Sequence, residues 1–157
     1  MSTHAVFDHA PIGSIIAWSD GTPRPPKRFT RRLAAWLTNN GRGRLIRKQP
    51  GRSMGNLSLS ASFTLHEADF GAGGVVALRV HRTFSLDSSL RFSVIERPAI
   101  GSVRVFDRAG DDAELVQLAP HRPAAKEWLS RHGYPRAVLE EVTADEVGAA
   151  VIEGRAA

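Results

Sequence analysis

Residues 57–66 read Leu-Ser-Leu-Ser-Ala-Ser-Phe-Thr-Leu-His, a run in which apolar and small polar side chains alternate almost without a break. Alternation with a period of two is typical of a β-strand that is buried on one face, because successive side chains point to opposite sides. The run therefore predicts a half-buried strand. Its inward face carries every second residue: Leu57, Leu59, Ala61, Phe63 and Leu65.

The same period continues through the middle of the chain. A glycine-rich turn at residues 71–74 is followed by a second alternating run that ends near Phe84. Shorter runs cover residues 90–96, 103–105 and 114–118. Alternating runs that are separated by turn residues predict consecutive antiparallel strands. We therefore predict an antiparallel β-meander over residues 57–118, with one face buried and the other polar.

A basic strand-helix-strand unit is predicted before the meander, over residues 14–52. Its strands cover residues 14–19 and 43–48, and its helix runs from about Lys27 or Phe29 to Asn39. Asn39-Asn40-Gly41 predicts the helix end, with Gly41 in the left-handed conformation. The helix is amphipathic, with its basic residues opposite an apolar arc. The apolar arc consists of Phe29, Leu33, Trp36 and Leu37.

An acidic and largely helical cap is predicted after the meander, over residues 121–157. Pro123 and the apolar spacing after it indicate a helix to about His132, and residues 137–142 indicate a short strand. Thr143 and Glu146 match a capping box, which predicts a last helix from Ala144 to about Glu153. The whole pattern predicts one α+β domain over residues 1–157, in which a mostly antiparallel β-meander is flanked by an N-terminal basic helix and the C-terminal cap.

The composition excludes several classes of protein. The 157 residues include no cysteine, so disulfide frameworks, thiolate zinc sites and cysteine nucleophiles are ruled out. No run approaches the ~20 apolar residues that a membrane span needs, and the N-terminal region has no signal-peptide pattern. We predict a cytoplasmic protein with no membrane contact, no metal and no cofactor.

Positive charge is concentrated near the N-terminus, although the net charge is only +5. Ten basic and two acidic residues before residue 57 give +8, six and five in residues 57–108 give +1, and five and nine in residues 109–157 give −4. Between Gly21 and Arg52 there are ten Lys or Arg and no Asp or Glu, a pattern typical of polyanion binding. The predicted nucleic-acid-binding residues are Arg24, Lys27, Arg28, Arg31, Arg32, Arg42, Arg44, Arg47 and Lys48.

A second anion-binding face is predicted on the polar side of the meander. Its residues are Arg79, His81, Arg91 and Arg104. Both basic regions have a structural alternative, since a charged face is often only solvated or is neutralised within the monomer. The acidic residues available for neutralisation lie in the C-terminal third: Glu140, Glu141, Asp145 and Glu146.

Two motifs suggest catalysis. Gly51-Arg52-Ser53-Met54-Gly55 matches the Gly-x-Ser-x-Gly nucleophile elbow, but that motif requires a strand-to-helix turn and here a strand follows. We interpret it as a glycine-rich connection. His66 and His81 become cross-strand neighbours if the turn at residues 71–74 pairs their strands, which would allow a two-histidine metal or acid/base site.

Three functional hypotheses follow, and the sequence favours binding over catalysis. The first is a non-enzymatic bacterial accessory or regulatory protein that binds nucleic acid mainly through phosphate-backbone contacts of its basic segment. The second is a protein-interaction or inhibitory module with bipolar charge, which binds a protein partner or forms a homodimer. The third is a small hydrolase or metal-dependent enzyme that uses Ser53, His66 or His81.

Overall fold

Two antiparallel sheets and a small hairpin form the framework of the protein in a computed structural model that describes residues 2–72 and 75–147. The larger sheet has five strands in the order β6-β5-β2-β1-β7, and the smaller has the order β10-β8-β9. The elements are α1 (Thr3–His9), β1 (Ile15–Ser19), α2 (Thr30–Asn39), β2 (Gly41–Gln49), β3 (Arg52–Met54), β4 (Leu57–Leu59), β5 (Ser62–Ala72), β6 (Val75–Ser85), β7 (Arg91–Glu96), β8 (Val103–Phe106), β9 (Leu115–Ala119), α3 (Arg122–Ser130) and β10 (Val138–Glu141). Residues 144–147 are also helical.

The predicted α+β class with a mostly antiparallel sheet is confirmed. The strands of residues 57–118 do not all pair with their sequence neighbours, however. β5 and β6 form a long hairpin, whereas β7 crosses to the far edge of the larger sheet and pairs with β1. β8 and β9 pair in the smaller sheet, where β10 completes the order. The predicted meander is thus antiparallel but is divided among the two sheets and the hairpin of β3 and β4.

An aromatic cluster forms the core of the larger sheet. Phe84 on β6 and Phe92 on β7 belong to opposite edges of the sheet, yet their ring centroids are only 5.1 Å apart. Phe63 lies between them, at 5.7 Å from Phe84 and 5.3 Å from Phe92. The sheet must therefore curl strongly around these rings, as the right-handed twist of strands allows. Trp18 completes the cluster, with its ring 5.2 Å from that of Phe84.

The first part of the alternating run at residues 57–66 is placed differently from the prediction. Phe63 and Leu65 are buried as predicted, but Leu57 and Leu59 are 59% and 54% exposed. The reason is a tight turn at Gly55, which has a positive φ of 59° and lets β4 pair with β3 as a separate hairpin. The period of two correctly indicates strand structure there, but not which strand is the partner.

The helix that precedes β2 ends without a left-handed residue, so the predicted conformation of Gly41 is wrong. Asn40 caps the helix in an extended conformation, and its amide Nδ2 donates to Trp36 O at 2.9 Å. Gly41 is the first residue of β2, and a Cβ atom placed on it would lie 2.6 Å from Cζ2 of Trp18. Glycine is required at this position because the indole ring occupies the space of a side chain.

A Gly41→Ala substitution is therefore expected to lower the free energy of unfolding by about 1–3 kcal/mol, the cost of overpacking a filled core. Urea denaturation measures this. In a Trp18→Phe background the added methyl group meets no indole carbon, and the penalty should shrink. Gly133→Ala is the matched control, because a Cβ there meets nothing within 4 Å. Equal effects at both glycines would contradict the packing account.

Other predicted elements agree with the structure. Strand β1, helix α2, helix α3 and strand β10 lie within one or two residues of their predicted bounds, except that α2 begins a little later than its earliest predicted start. The last helix begins at Ala144 as predicted, and Glu146 Oε2 accepts from the Thr143 backbone N–H at 3.4 Å. Its predicted continuation to Glu153, and the turn residues 73 and 74, lie outside the described residues. The short α1 has no counterpart among the predicted elements.

Candidate nucleic-acid interface

Helix α2 stands on the surface with its apolar side only partly covered. None of its ten residues, all of which the structure describes, is buried. Leu33 and Trp36 are half-buried, whereas Leu37 is 47% exposed and Phe29, at the start of the helix, is 39% exposed. The predicted amphipathic pattern is present, but the apolar arc is not packed into the core.

The proline-rich approach to α2 is held against the helix by its tryptophan. The indole Nε1 of Trp36 donates to the carbonyl of Thr22 at 3.0 Å, and the guanidinium of Arg24 lies 5.9 Å from the centre of the same ring. Both contacts hold the chain that precedes the helix against α2.

We define the basic helix surface as the five cations of α2 and its approach: Arg24, Lys27, Arg28, Arg31 and Arg32. All five are exposed. The guanidinium groups of Arg28 and Arg32 lie 4.8 Å and 5.4 Å from the centre of the Phe29 ring, which positions both arginines through cation–π contacts. Within residues 2–72 and 75–147, none of the five takes part in an ion pair.

The N-terminus of α2 adds to the positive potential of this surface. Phe29 is the N-cap residue and supplies no side-chain hydrogen bond, and the first turn contains no acidic residue. The backbone N–H groups of a first helical turn have no partner within the helix, and the helix dipole is positive there. Phosphate oxygens are therefore well suited to this end of α2.

The remaining predicted nucleic-acid-binding residues lie on β2, and three of the four are turned into the protein. Arg42 is exposed. Arg44 is half-buried and donates from Nη1 to Gly13 O at 2.6 Å, and Arg47 has a buried Nε with no partner in the described part of the chain. Lys48 is half-buried, and burial together with the charge of Arg104 lowers the pKa of its amine. These three side chains are partly buried because β2 is the central strand of its sheet.

Up to residue 147, where the described chain ends, no C-terminal acid forms an ion pair with the basic helix surface. Glu140 and Glu146 instead bind Arg104 Nη2, at 2.7 Å and 2.8 Å. Arg104 was predicted to face an anionic ligand, but its side chain is only 3% exposed and lies between these two carboxylates. The prediction for Arg104 is therefore wrong, because its guanidinium is enclosed by Glu140 on the neighbouring strand β10, by Glu146, and by the carbonyl of Ile12, to which Nη1 donates at 3.4 Å.

The other three residues of the second anion-binding face lie in two places. Arg79 and His81 are on β6, at one edge of the larger sheet, and Arg91 is on β7, at the opposite edge. A Cβ atom placed on Gly21 would lie 3.6 Å from Nη1 of Arg91, so this arginine is near the start of the basic segment. The predicted face is thus not one site.

The two histidines of the long hairpin do meet, as predicted. His66 and His81 are cross-strand partners, and their ring centroids are 5.7 Å apart in an edge-to-face arrangement. Asp69 Oδ1 lies 2.7 Å from His66 Nε2 and 3.7 Å from Arg79 Nε. These groups line a cavity of about 290 Å³, to which β2 contributes Arg44. The sequence pattern did not place Arg44 beside the histidines, because that requires the non-local pairing of β2 with β5.

The structure around Ser53 differs from a nucleophile elbow. Ser53 is exposed in β3 and pairs across the hairpin with Ser58, and β4 rather than a helix follows the turn. In the described part of the chain, no group of three or more His, Asp or Glu side chains is arranged to hold a metal ion.

These observations define an α+β protein with an exposed cationic helix that connects two paired strands, β1 and β2, of the larger sheet. The chain belongs to the family described as uncharacterised conserved protein UCP036055, whose family model matches residues 1–146. No curated protein and no solved structure matches the chain. Among the described helices, none has the length and apolar character that would be needed to cross a membrane.

Proposed function

We propose that this protein binds nucleic acid through the basic helix surface, as a non-enzymatic accessory or regulatory factor of the cytoplasm. One observation carries the proposal: five exposed cations lie on helix α2 and the segment before it, the N-terminus of α2 is uncapped, and no described carboxylate pairs with these cations. Such an arrangement leaves the charge available to an external polyanion rather than to the protein itself.

The expected binding energy is mainly electrostatic. Each cation that meets a phosphate releases a condensed counterion, which favours association without regard to base sequence. The helix N-terminus offers backbone N–H donors to the same phosphates. Phe29 stands exposed between Arg28 and Arg32, where an aromatic ring supports stacking of an unpaired base.

The large sheet does not provide a base-stacking platform of the kind that many RNA-binding sheets use. Phe63, Phe84 and Phe92 are all buried in the core, and Phe70 on β5, which is 57% exposed, has no aromatic neighbour among the described ring contacts. A row of stacked bases on the sheet is therefore not expected, and the proposed binding is weakly sequence-dependent. This agrees with a function based on contacts to the phosphate backbone.

Fluorescence anisotropy with the full chain tests the proposal. Labelled duplex and single-stranded oligonucleotides of two unrelated sequences should all be bound at low salt, with similar affinities for the two sequences. A preference for the single strand would assign a role to Phe29. Failure to bind any of these oligonucleotides at low salt would rule the proposal out.

A second candidate function is the binding of a protein partner or of a second copy of this chain. The hairpin of β3 and β4 favours it. Met54, Leu57 and Leu59 are 72%, 59% and 54% exposed there, and clustered apolar side chains on a surface often mark an interface. The molar mass in solution distinguishes a homodimer from a monomer. A Leu57→Ser, Leu59→Ser variant that leaves a measured dimer unchanged would exclude this hairpin as its interface.

A further inference from the structure

The cavity beside the histidine pair lies outside the basic helix surface and has its own charged lining. Its volume is about 290 Å³, and it lies between the larger sheet and strand β9. Strands β2, β5 and β6 supply the polar groups: Arg44, His66, Asp69, Arg79 and His81. Strand β9 supplies an apolar wall with one amide: Leu115, Val116, Gln117 and Leu118.

Two of the polar side chains of this cavity are fixed by hydrogen bonds. Asp69 Oδ1 lies 2.7 Å from His66 Nε2, so the carboxylate orients this imidazole, and it lies 3.7 Å from Arg79 Nε, within ion-pair distance. Arg44 is anchored from Nη1 to Gly13 O, and the described residues use no other N–H group of its guanidinium. Donors that are fixed before a ligand arrives lose little conformational entropy on binding.

The charge of the lining selects an anion over a metal ion. Two arginines against one aspartate give an excess of one positive charge even when both histidines are neutral. A cation placed beside the two histidines would be repelled by the guanidinium groups of Arg44 and Arg79. The N–H groups of a guanidinium and of an imidazole instead donate hydrogen bonds to the oxygens of a phosphate group.

We propose that this cavity binds the phosphate group of a small phosphorylated molecule. Arg44, Arg79 and His81 donate to the phosphate oxygens, and Asp69 is a positioning residue that holds His66 and Arg79. The remaining volume, bounded by Leu115 and Leu118, accommodates a small apolar or neutral portion of the ligand. A volume near 300 Å³ is at the lower end for ligand pockets, which favours a small ligand.

Proton NMR of the histidine rings in the full chain tests this proposal with inorganic phosphate as the probe. His66→Gln and His81→Gln spectra assign the two resonances among the six histidines. Phosphate should shift both resonances in a saturable manner, while acetate at equal ionic strength should not. Absence of a saturable shift, or equal shifts at all histidines, would overturn the proposal.

The Arg79→Gln variant tests the assignment of the donors. Loss of one charge-assisted hydrogen bond should weaken phosphate binding about tenfold or more. Arg122→Gln is the matched control, since Arg122 is exposed on α3 and outside the cavity, and it should bind phosphate as the native chain does. Equal weakening by both variants would show a general charge effect and contradict the site.

A nucleic acid also carries phosphate groups. One further titration therefore tests whether this cavity binds a small phosphorylated molecule or the phosphate backbone of a nucleic acid. An oligonucleotide that binds the basic helix surface should leave the His66 and His81 resonances in place. A shift of both resonances by the oligonucleotide would overturn the assignment to a small molecule. The phosphate titration does not depend on nucleic-acid binding, so the two proposals fail separately.

Discussion

A variant that carries Arg28→Gln, Arg31→Gln and Arg32→Gln is expected to bind nucleic acid at least about a hundredfold more weakly than the native chain near 0.1 M salt. The three arginines are the cations of the basic helix surface nearest to the N-terminus of α2, and each should displace one counterion from the phosphate backbone. Glutamine keeps the length of the side chain and has a good helix propensity. Fluorescence anisotropy measures the affinity.

Folding of this variant should be nearly unchanged. No residue of α2, which lies wholly within the described chain, is buried, so the substitutions remove no core contact. The matched control replaces Arg122, Lys126 and Arg136 with glutamine, which removes the same charge from exposed positions at the smaller sheet. It should bind almost as tightly as the native chain. If both variants lose affinity equally, only net charge matters and the basic helix surface is not the binding site.

The double variant Glu140→Gln, Glu146→Gln is expected to lower the free energy of unfolding by about 3 kcal/mol, the low end for breaking a buried ion pair. Arg104 would keep its charge with a side chain that is only 3% exposed, while both carboxylates would be gone. The low end applies because Glu140 and Glu146 are themselves 55% and 38% exposed, so water reaches the site. Urea denaturation gives the change.

Two further variants distinguish the burial of Arg104 from a general effect of charge. Glu127→Gln breaks the exposed pair with Arg131, and this change should cost less than about 0.5 kcal/mol. Adding Arg104→Met to the double variant removes the unpaired charge and should recover much of the lost stability. A double variant as stable as the native chain would show that these carboxylates do not compensate Arg104.

Arg104 also shows what a local pattern can predict about burial. Val103 and Val105 alternate with it in β8, so the period of two correctly places Arg104 on the opposite face of the strand. All four residues of β8 are nevertheless buried, because α3 packs on the face of Val103 and Val105, while on the other face Phe106 packs with Ile46 and Arg104 pairs with Glu140 and Glu146. Periodicity separates two faces of a strand, but whether a face is covered depends on elements far away in the chain.

The reasons why glycine is required also differ between local and non-local ones. The positive φ of Gly55 belongs to a tight turn, which is a local feature that a sequence can indicate. Gly41 and Gly43 have a different cause: added Cβ atoms would lie 2.6 Å from Trp18 Cζ2 and 2.8 Å from His66 O. Both contacts arise from pairing between distant strands, so sequence inspection assigns the wrong reason to Gly41.

The candidate sites were predictable to the extent that they lie within one element or one hairpin. Arg28, Arg31 and Arg32 could be assigned to an exposed helix face, and His66 and His81 could be paired across their turn. The partial burial of Arg44, Arg47 and Lys48 could not be predicted, because it depends on β2 lying at the centre of a five-stranded sheet.

The salt dependence of duplex binding by the full chain tests nucleic-acid binding by the basic helix surface most directly. Five phosphate contacts predict that the logarithm of the association constant falls with the logarithm of salt concentration at a slope of about −4.5, or about −0.9 for each contact. The Arg28, Arg31, Arg32 variant should reduce that slope by more than half. A native slope near zero, or no binding at low salt, would contradict the proposed function.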